Sequence, residues 1–195
     1  MDFVLASKNK KKLEELRRIL TPMGINVIGE SDSSIAFPEV EENGTTFEEN
    51  SMLKAKSACE ACNLPAIADD SGLCVDALNG APGVYSARFA GEDQNDDCNN
   101  QKLLELMKDV PDEQRTARFV SVVSCVFPDG RSFSVRGECE GVISHELQGN
   151  GGFGYDPLFI VNGVSFGLLS AAEKDALSHR GKALRCFAEK IKDYI

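Results

Sequence analysis

The sequence FVLASKNKKKLEELRRILTPMGINVI, residues 3–28, predicts a β-α-β unit at the start of the chain. Residues 3–6 form a short apolar run typical of a buried strand, and leucines recur at helical spacing over residues 10–20. Pro22 and Gly24 end that helix, and residues 25–28 supply a second strand. Because a helix connects the two strands, this opening indicates an α/β protein.

The rest of the chain predicts helices and strands in a less regular order. Thr46 and Glu49 have the spacing of a capping box, which predicts a helix running to about residue 62. Two short strands are expected over residues 65–68 and 73–77, and a hairpin over 119–127 and 132–138. Asn162-Gly163 is a strong two-residue turn signal between strands 158–161 and 164–166. Helices over 96–107 and 183–191 complete a mixed central sheet with flanking helices.

Length and composition indicate an ordinary globular protein with a single domain, residues 1–195. Hydrophobic residues make up 42% and charged residues 27%, and no apolar run approaches the roughly 18 residues of a membrane span. The first residues carry an acid at position 2 and lysines after the apolar run, which is the reverse of a secretory signal. We therefore expect a cytoplasmic protein with no membrane partner.

Net charge indicates which ligands the protein could bind, and the cysteine pattern indicates what role the cysteines have. A net charge of −10 repels the phosphate backbone, so a nucleic-acid polymer is disfavoured as a ligand. A polyanionic small molecule would need a local basic patch or a metal ion. Seven scattered cysteines do not suggest a disulfide framework, and the Cys59–Cys62 pair lacks the further ligands of a zinc site. We expect structural cysteines.

A lysine patch lies where the first strand meets its helix, at Lys8, Lys10, Lys11 and Lys12. Cations in a first helical turn oppose the helix dipole at up to about 1 kcal/mol each. An anion bound there would reverse that cost, because free N–H groups and ammonium groups would both face it. A solvated lysine cluster is an equally open interpretation, and the P-loop pattern is missing.

Acidic residues form two candidate metal-binding stretches, one at Glu42 and one at Asp69-Asp70. Alternation along a strand sends adjacent side chains to opposite faces, but a turn at Ser71-Gly72 could bring both aspartates to one edge. Magnesium is commonly held by one or two carboxylates together with substrate phosphates. The open alternatives are that Glu42 only compensates the dipole of the helix that follows, and that the aspartates only satisfy backbone donors in a turn.

Glycines and aromatics alternate at residues 149–157, where the backbone could approach a planar base closely and an aromatic ring could stack on it. Ser178-His179-Arg180, with Lys174 upstream, offers donors for carbonyl oxygens on a base edge. The alternatives are a loop anchored to the core by its aromatics and a solvated helix start. Each pattern is weak alone.

Six ordered blocks resemble the inosine/xanthosine triphosphate pyrophosphatases: LASKNKKKLEEL, EENGTTFEENSMLKA, PAIADDSGL, GAPGVYSARFAG, GGFGYDPLF and EKDALSHRGKAL. They extend from about residue 3 to the final helix. The resemblance implies a fold with two lobes around a long substrate cleft, and a homodimer. It also implies Mg²⁺-dependent attack of water at the α-phosphorus of a deaminated purine nucleoside triphosphate, giving the monophosphate and pyrophosphate.

The resemblance further implies a role for each matching residue. Asp70, Lys12 and Glu42 would be catalytic, and the metal would be bound by Glu42 and Asp70 with support from Asp69. Asp70 would position or deprotonate the water. The substrate would contact a larger set, comprising Ser7, Lys8, Asn9, Lys10, Lys11, Lys12, Lys54 and Ser71 at the phosphates, and Phe153, Gly154, Tyr155, Asp156, Lys174, His179 and Arg180 at the base.

Two positions depart from the family pattern. Leu168 stands where the family usually has an acid, and Lys8 replaces a commonly small residue. Because every metal and base position is kept, we expect Leu168 to alter loop support or substrate contacts without abolishing the reaction. The alternative functions are a non-catalytic purine nucleotide-binding protein and a phosphatase that releases orthophosphate.

Overall fold

The computed structural model describes residues 2–29, 32, 37–38 and 40–195. It contains seven strands: β1 (Asp2–Leu5), β2 (Asn26–Ile28), β3 (Ala66–Val75), β4 (Thr116–Val126), β5 (Ser132–Ile143), β6 (Phe159–Val161) and β7 (Val164–Ser165). Its α-helices are α1 (Lys10–Leu20), α2 (Phe47–Cys62), α3 (Asp96–Met107), α4 (Ala171–Leu177) and α5 (His179–Lys190). No helix in the described ranges is long and apolar enough to cross a membrane.

All seven strands form one mixed sheet in the order β2-β1-β3-β4-β5-β6-β7. β1 pairs in parallel with both β2 and β3, with Phe3 opposite Val27 and Leu5 opposite Ile67. β6 pairs antiparallel with β5 and β7. The predicted β-α-β opening and the mixed sheet with flanking helices are therefore confirmed.

Several elements predicted from short sequence patterns lie at the predicted positions. Asn162 and Gly163 both have positive φ, as a two-residue turn matched to strand twist requires. At the start of α2, Thr46 accepts from the Glu49 N–H, and the Glu49 carboxylate accepts from the Thr46 N–H, which completes the capping box. Helix α3 has the predicted bounds.

Two expectations were wrong, and one helix was missed. The two short strands expected over residues 65–68 and 73–77 are one long strand, β3 (Ala66–Val75), with no turn at Ser71-Gly72, because β1 and β4 flank it as its neighbours in the sheet. Helix α4 was not predicted, although Ser170 and Glu173 carry the capping-box spacing and make that cap. The last helix begins at His179, four residues before the expected residue 183.

The described chain divides into two compact units. Unit 1 comprises Met1–Asp70, Ser121–Gly137 and Arg180–Ile195, and unit 2 comprises Ser71–Val120 and Glu138–His179. In unit 1, Phe3 contacts the rings of Phe127 and Phe187 edge-on, each with centroids 6.3 Å apart. In unit 2, Phe119 and Phe159 contact edge-on at 4.5 Å. Each unit therefore has its own apolar core.

Candidate active site

The lysine patch lies at the start of α1, where Asn9 is the N-cap. The Asn9 side chain accepts a hydrogen bond from the Lys12 N–H at 3.2 Å, and the Asn9 N–H donates to Ser7 Oγ at 3.2 Å. Lys8, Lys10 and Lys11 are exposed, and the first turn of α1 contains no acid. The positive end of this helix is therefore uncompensated by acids of its own first turn, which suits an anion.

Asp69 is buried in unit 1 among donors from three different elements. Its carboxylate lies 2.6 Å from Lys12 Nζ and 3.2 Å from Arg180 Nη2, and it accepts from Ser121 Oγ. Burial opposes ionisation, but the charges of Arg180 and Lys12 outweigh it and hold the pKa of Asp69 well below its usual range. Asp69 is therefore a fixed carboxylate, and it holds the Lys12 ammonium in place.

Arg180 is also almost fully buried, and its guanidinium contacts Glu15 as well as Asp69. Burial lowers the pKa of Arg180, but the two carboxylates outweigh it and raise that pKa further above its ordinary value. The sequence predicted Arg180 as a base-contacting residue. The structure places its charged group within unit 1, beside the carboxylate that positions Lys12.

Asp70 and Glu42 share the ammonium of Lys54. Lys54 Nζ lies 2.8 Å from Asp70 Oδ1 and 3.1 Å from Glu42 Oε2. Burial raises the pKa of Asp70, and the nearby Glu42 charge adds to that effect. Burial lowers the pKa of Lys54, but the charges of Asp70 and Glu42 outweigh it, so this pKa is raised. Burial raises the pKa of Glu42, but the charge of Lys54 outweighs it, so this pKa is lowered. Asp70 is thus a carboxylate whose charge is incompletely compensated.

Lys12 has the opposite balance. Burial lowers the pKa of its ammonium, and the attraction of Asp69 does not fully offset this because Arg180 and Lys54 add like charge nearby. An anion at the start of α1 would relieve that repulsion. Lys12 is therefore suited to bind phosphate oxygens.

The donor set fits a divalent cation at Glu42 and Asp70. Asp70 Oδ2 is buried and has no hydrogen-bond partner among the described residues, so it keeps lone pairs for a ligand. Within the described ranges, no group of three or more His, Cys, Asp or Glu side chains is placed to hold a metal by itself. The oxygens of Asp69 already accept from three donors, which suits a supporting role.

A second cluster lies in unit 2 and joins the glycine-rich loop to α4. Lys174 Nζ lies 2.7 Å from Asp156 Oδ2 and 4.6 Å from the centroid of the Phe153 ring. Asp156 Oδ2 also accepts the Phe153 N–H at 2.8 Å. Gly152 has φ +71°, and a Cβ there would lie 1.9 Å from Asp156 Oδ2. Only glycine allows this close approach of the loop to the buried carboxylate.

Tyr155 and His179 are buried in the same unit. The Tyr155 hydroxyl donates to the Ser86 carbonyl at 2.7 Å, and burial raises the pKa of this phenol. The His179 ring stacks on Phe119 with centroids 4.6 Å apart. Tyr155 therefore supports the loop from the core, and Phe153 is the more accessible of the two aromatics.

The structure brings the predicted site residues together in two sets. Unit 1 contains Lys12, Glu42, Lys54, Asp69, Asp70 and Arg180, and unit 2 contains Phe153, Gly154, Tyr155, Asp156, Lys174 and His179. Sequence reasoning missed the polar residues that support them, which are Glu15, Ser121, Asp96 and Asn100. Ser121 interrupts the apolar run of β4, which is a signal by which it could have been found, whereas Glu15 lies in a charge-rich helix where nothing in the sequence marks it.

Comparison with known proteins decides the family. The profile of the Ham1 family matches residues 3–190. The chain belongs to the Ham1 family. A relative from Desulforamulus reducens, named dITP/XTP pyrophosphatase, is 52% identical over 95% of this chain and 92% of its own length. A relative of the same name from Escherichia coli K12 is 47% identical over 97% of this chain and 98% of its own length.

Solved structures of Ham1 proteins have the same fold. The Ham1 protein of Staphylococcus aureus superposes with a TM-score of 0.88 at 40% identity, over 100% of both chains. A nucleoside-triphosphatase, dITP/XTP pyrophosphatase, from Mycobacterium abscessus gives 0.77 at 42% identity, over 96% of this chain and 97% of that one. The mixed sheet described above is therefore the Ham1 fold along its whole length.

Proposed function

We propose that this Ham1 protein hydrolyses deaminated purine nucleoside triphosphates, namely ITP, dITP and XTP, to the monophosphate and pyrophosphate, and so cleanses the nucleotide pool. The observation that carries the proposal is Asp70, a buried carboxylate with one oxygen on Lys54 and the other without a described partner. The names of the relatives, dITP/XTP pyrophosphatase, support the choice of substrate.

The phosphates would be bound by the start of α1 and by the neighbouring cations. Ser7, Lys8, Asn9, Lys10 and Lys11 would cradle the triphosphate together with Lys12, Lys54 and Ser71. Asn9 and Lys12 are the strongest candidates, and the Asp69 carboxylate, which also pairs with Arg180, holds the Lys12 ammonium in unit 1. An acidic protein needs such a local concentration of cations to bind a polyanion.

Hydrolysis would require a base and a divalent cation. Mg²⁺ held by Glu42 and Asp70, with support from Asp69, would neutralise phosphate charge as it develops. Asp70 would accept the proton of the attacking water, and its raised pKa brings its basicity closer to what neutral pH requires. Lys54 would move its contact toward a phosphate oxygen and leave Asp70 free to act.

The base would be recognised by the residues of unit 2, while Arg180, predicted for the same role, pairs with Asp69 and Glu15 in unit 1. Phe153 would stack on the purine, and Lys174 and His179 would supply donors toward its 6-oxo group, with Asp156 holding Lys174. Adenine carries an amino group at that position and would leave buried donors unpaired, which gives strong rejection. Gly154 and Tyr155 would shape the loop.

One product assay tests this proposal. The protein is incubated with Mg²⁺ and, separately, with ITP, XTP, dITP, ATP or GTP, and the phosphate product is identified. Pyrophosphate from ITP or XTP, with ATP nearly untouched, is the expected result. Orthophosphate would indicate a phosphatase instead, and tight ITP binding without turnover would indicate a nucleotide-binding protein.

Three further properties belong to the same proposal. We expect the chain to act as one domain and to form a homodimer. Light scattering would measure the mass of the homodimer. We expect a cytoplasmic location, since seven free thiols suit a reducing compartment. These expectations are independent of the product assay.

A further inference from the structure

The first two turns of α3 hold the backbone of Gly154 from both sides. The Gly154 N–H donates to Asp96 Oδ2 at 2.8 Å, and Asn100 Nδ2 donates to the Gly154 carbonyl at 2.9 Å. Asp96 and Asn100 are four residues apart, so their side chains project from the same helix face. Two side chains of one helix thus bind both polar groups of a single loop residue.

The contact of Asn100 is built into the core of unit 2. Asn100 is only 4% exposed, and its Oδ1 has no hydrogen-bond partner among the described residues. Burying an amide that is only partly hydrogen-bonded is unfavourable. The Gly154 contact is the hydrogen bond that this side chain makes, which points to a positional role for it.

The neighbouring residue Asn99 holds the other loop of this region, residues 83–90, which the sequence blocks singled out but which has no role in the proposed reaction. Asn99 Nδ2 donates to the Ala87 carbonyl at 2.9 Å, and its Oδ1 accepts from the Ala90 N–H at 2.7 Å. The Tyr155 hydroxyl donates to Ser86 in the same loop. The two loops are therefore fixed to α3 and to each other.

Gly154 follows Phe153 directly in the chain, so its peptide groups set the position of the Phe153 ring. Gly154 has φ +60°, in the left-handed region that glycine adopts most readily. On the other side, the Phe153 N–H is bound by Asp156. The ring is thus fixed from one side by Asp156 and Lys174 and from the other by α3.

We propose that Asp96 and Asn100 are positioning residues that hold the Phe153 ring in place to stack on the purine. The inference rests on the proposed function, in which Phe153 is the stacking residue. Neither side chain needs to touch the substrate. Because a misplacement of about 1 Å can cost about 100-fold in rate, releasing Gly154 is expected to weaken base recognition strongly.

The test compares Asn100→Ala and Asp96→Ala with Asp96→Asn, which keeps an acceptor oxygen for the Gly154 N–H. Asp97→Ala is the matched control, because Asp97 is exposed in the same first turn and carries the same charge. For each variant, kcat and KM are measured with XTP and dITP by pyrophosphate release. Inorganic tripolyphosphate, which has no base, is used as a competitive inhibitor.

Both alanine variants at 96 and 100 are expected to raise KM for XTP about 10-fold or more, with a smaller change in kcat and an unchanged inhibition constant for tripolyphosphate. Asp96→Asn should restore most of the wild-type KM, and Asp97→Ala should resemble the wild type. If the variants bound XTP and tripolyphosphate more weakly by the same factor, the inference would be overturned, since this would show a general structural effect. An unchanged KM for XTP in a folded Asp96→Ala protein would also overturn the inference.

These results are distinguishable from failure of the proposed function. If the wild type releases no pyrophosphate from any of the purine triphosphates, the proposed function fails. If the wild type is active and Asp96→Ala retains its KM, only the positioning role fails. Should Asn100→Ala not fold, the exposed Asp96 variants still decide the question.

Discussion

Asp69 and Asp70 are adjacent in β3 but contact different cations. Asp69 lies against Lys12 and Arg180, whereas Asp70 Oδ1 lies 2.8 Å from Lys54. The alternation of a strand sends neighbouring side chains to opposite faces, so the two carboxylates reach separate surroundings. Both oxygens of Asp69 are bound by these groups, whereas Asp70 Oδ2 has no partner among the described residues. Substitution of Asp70 should therefore reduce activity, and substitution of Asp69 should reduce stability.

Asp70→Asn should remove activity and keep the fold. Loss of the proton acceptor is expected to reduce kcat by about 10²- to 10⁴-fold. Because burial already disfavours the ionised form of Asp70, a neutral amide should not lower the melting temperature. Activity is measured by pyrophosphate release, and stability by circular dichroism on heating. Retained turnover would refute the role assigned to Asp70.

Asp69→Asn should instead destabilise the protein. It leaves the buried guanidinium of Arg180 and the ammonium of Lys12 without their shared carboxylate, which costs about 3–5 kcal/mol of unfolding free energy. Urea unfolding monitored by circular dichroism measures this loss. Asp129→Asn is a control at an exposed carboxylate of unit 1, and it should change stability little. A stable Asp69→Asn protein would contradict the structural role.

Lys174→Met should destabilise unit 2 through Asp156. The ammonium of Lys174 lies 2.7 Å from a carboxylate that is almost fully buried, so its removal should cost about 3–5 kcal/mol. The double variant Lys174→Met, Asp156→Asn should recover part of that loss, because the unpaired charge is gone. A double-mutant cycle in urea measures the coupling. Strictly additive effects would show that the pair contributes no coupling.

Cysteine labelling should follow burial. Burial raises the pKa of the Cys125 thiol to about 12, so at pH 8 almost none of it is the reactive thiolate. Iodoacetamide should modify the exposed Cys98 and Cys186 in the native protein and reach Cys125 only after unfolding. Peptide mass spectrometry identifies the sites. Fast native labelling of Cys125 would contradict its buried position.

The same thiol also predicts a pH effect on stability. The folded-state pKa of Cys125 lies above that of the unfolded chain, which is near 8.5. Its contribution is therefore complete below about pH 8.5 and is lost as the pH rises toward the folded pKa, because only the unfolded state ionises in that interval. Cys125→Ala should reduce the slope of unfolding free energy against pH above that point.

Leu168→Glu should leave turnover close to that of the wild type. Leu168 is 61% exposed in a short turn after β7, so neither leucine nor glutamate is required there by packing. Surface substitutions of this kind usually change stability by less than about 0.5 kcal/mol. Steady-state kinetics with XTP measures the effect. A large gain in turnover would show that the acid usual at this position has a catalytic role.

Much of the fold followed from local signals. Helical spacing and the capping residues predicted α1, α2 and α3, and Asn162-Gly163 predicted the β6–β7 hairpin. The turn expected at Ser71-Gly72 was wrong because turn-forming residue types do not prevent a central strand from continuing. The neighbouring strands β1 and β4 pair with the backbone of β3, and the cations Lys12 and Lys54 compensate the negative charges of its aspartates.

By itself the sequence determined the family, the mixed sheet and the list of candidate residues, because motifs, turns and periodicity are properties of short segments. Only the tertiary structure decided what surrounds each aspartate: Asp69 lies between Lys12 and Arg180, and Asp70 keeps one oxygen without a described partner. Arg180 meets Asp69 across 111 residues of chain and Glu15 across 165. Burial and the identity of the opposing charge set the chemistry of a carboxylate, and both depend on contacts between segments that lie far apart in the chain.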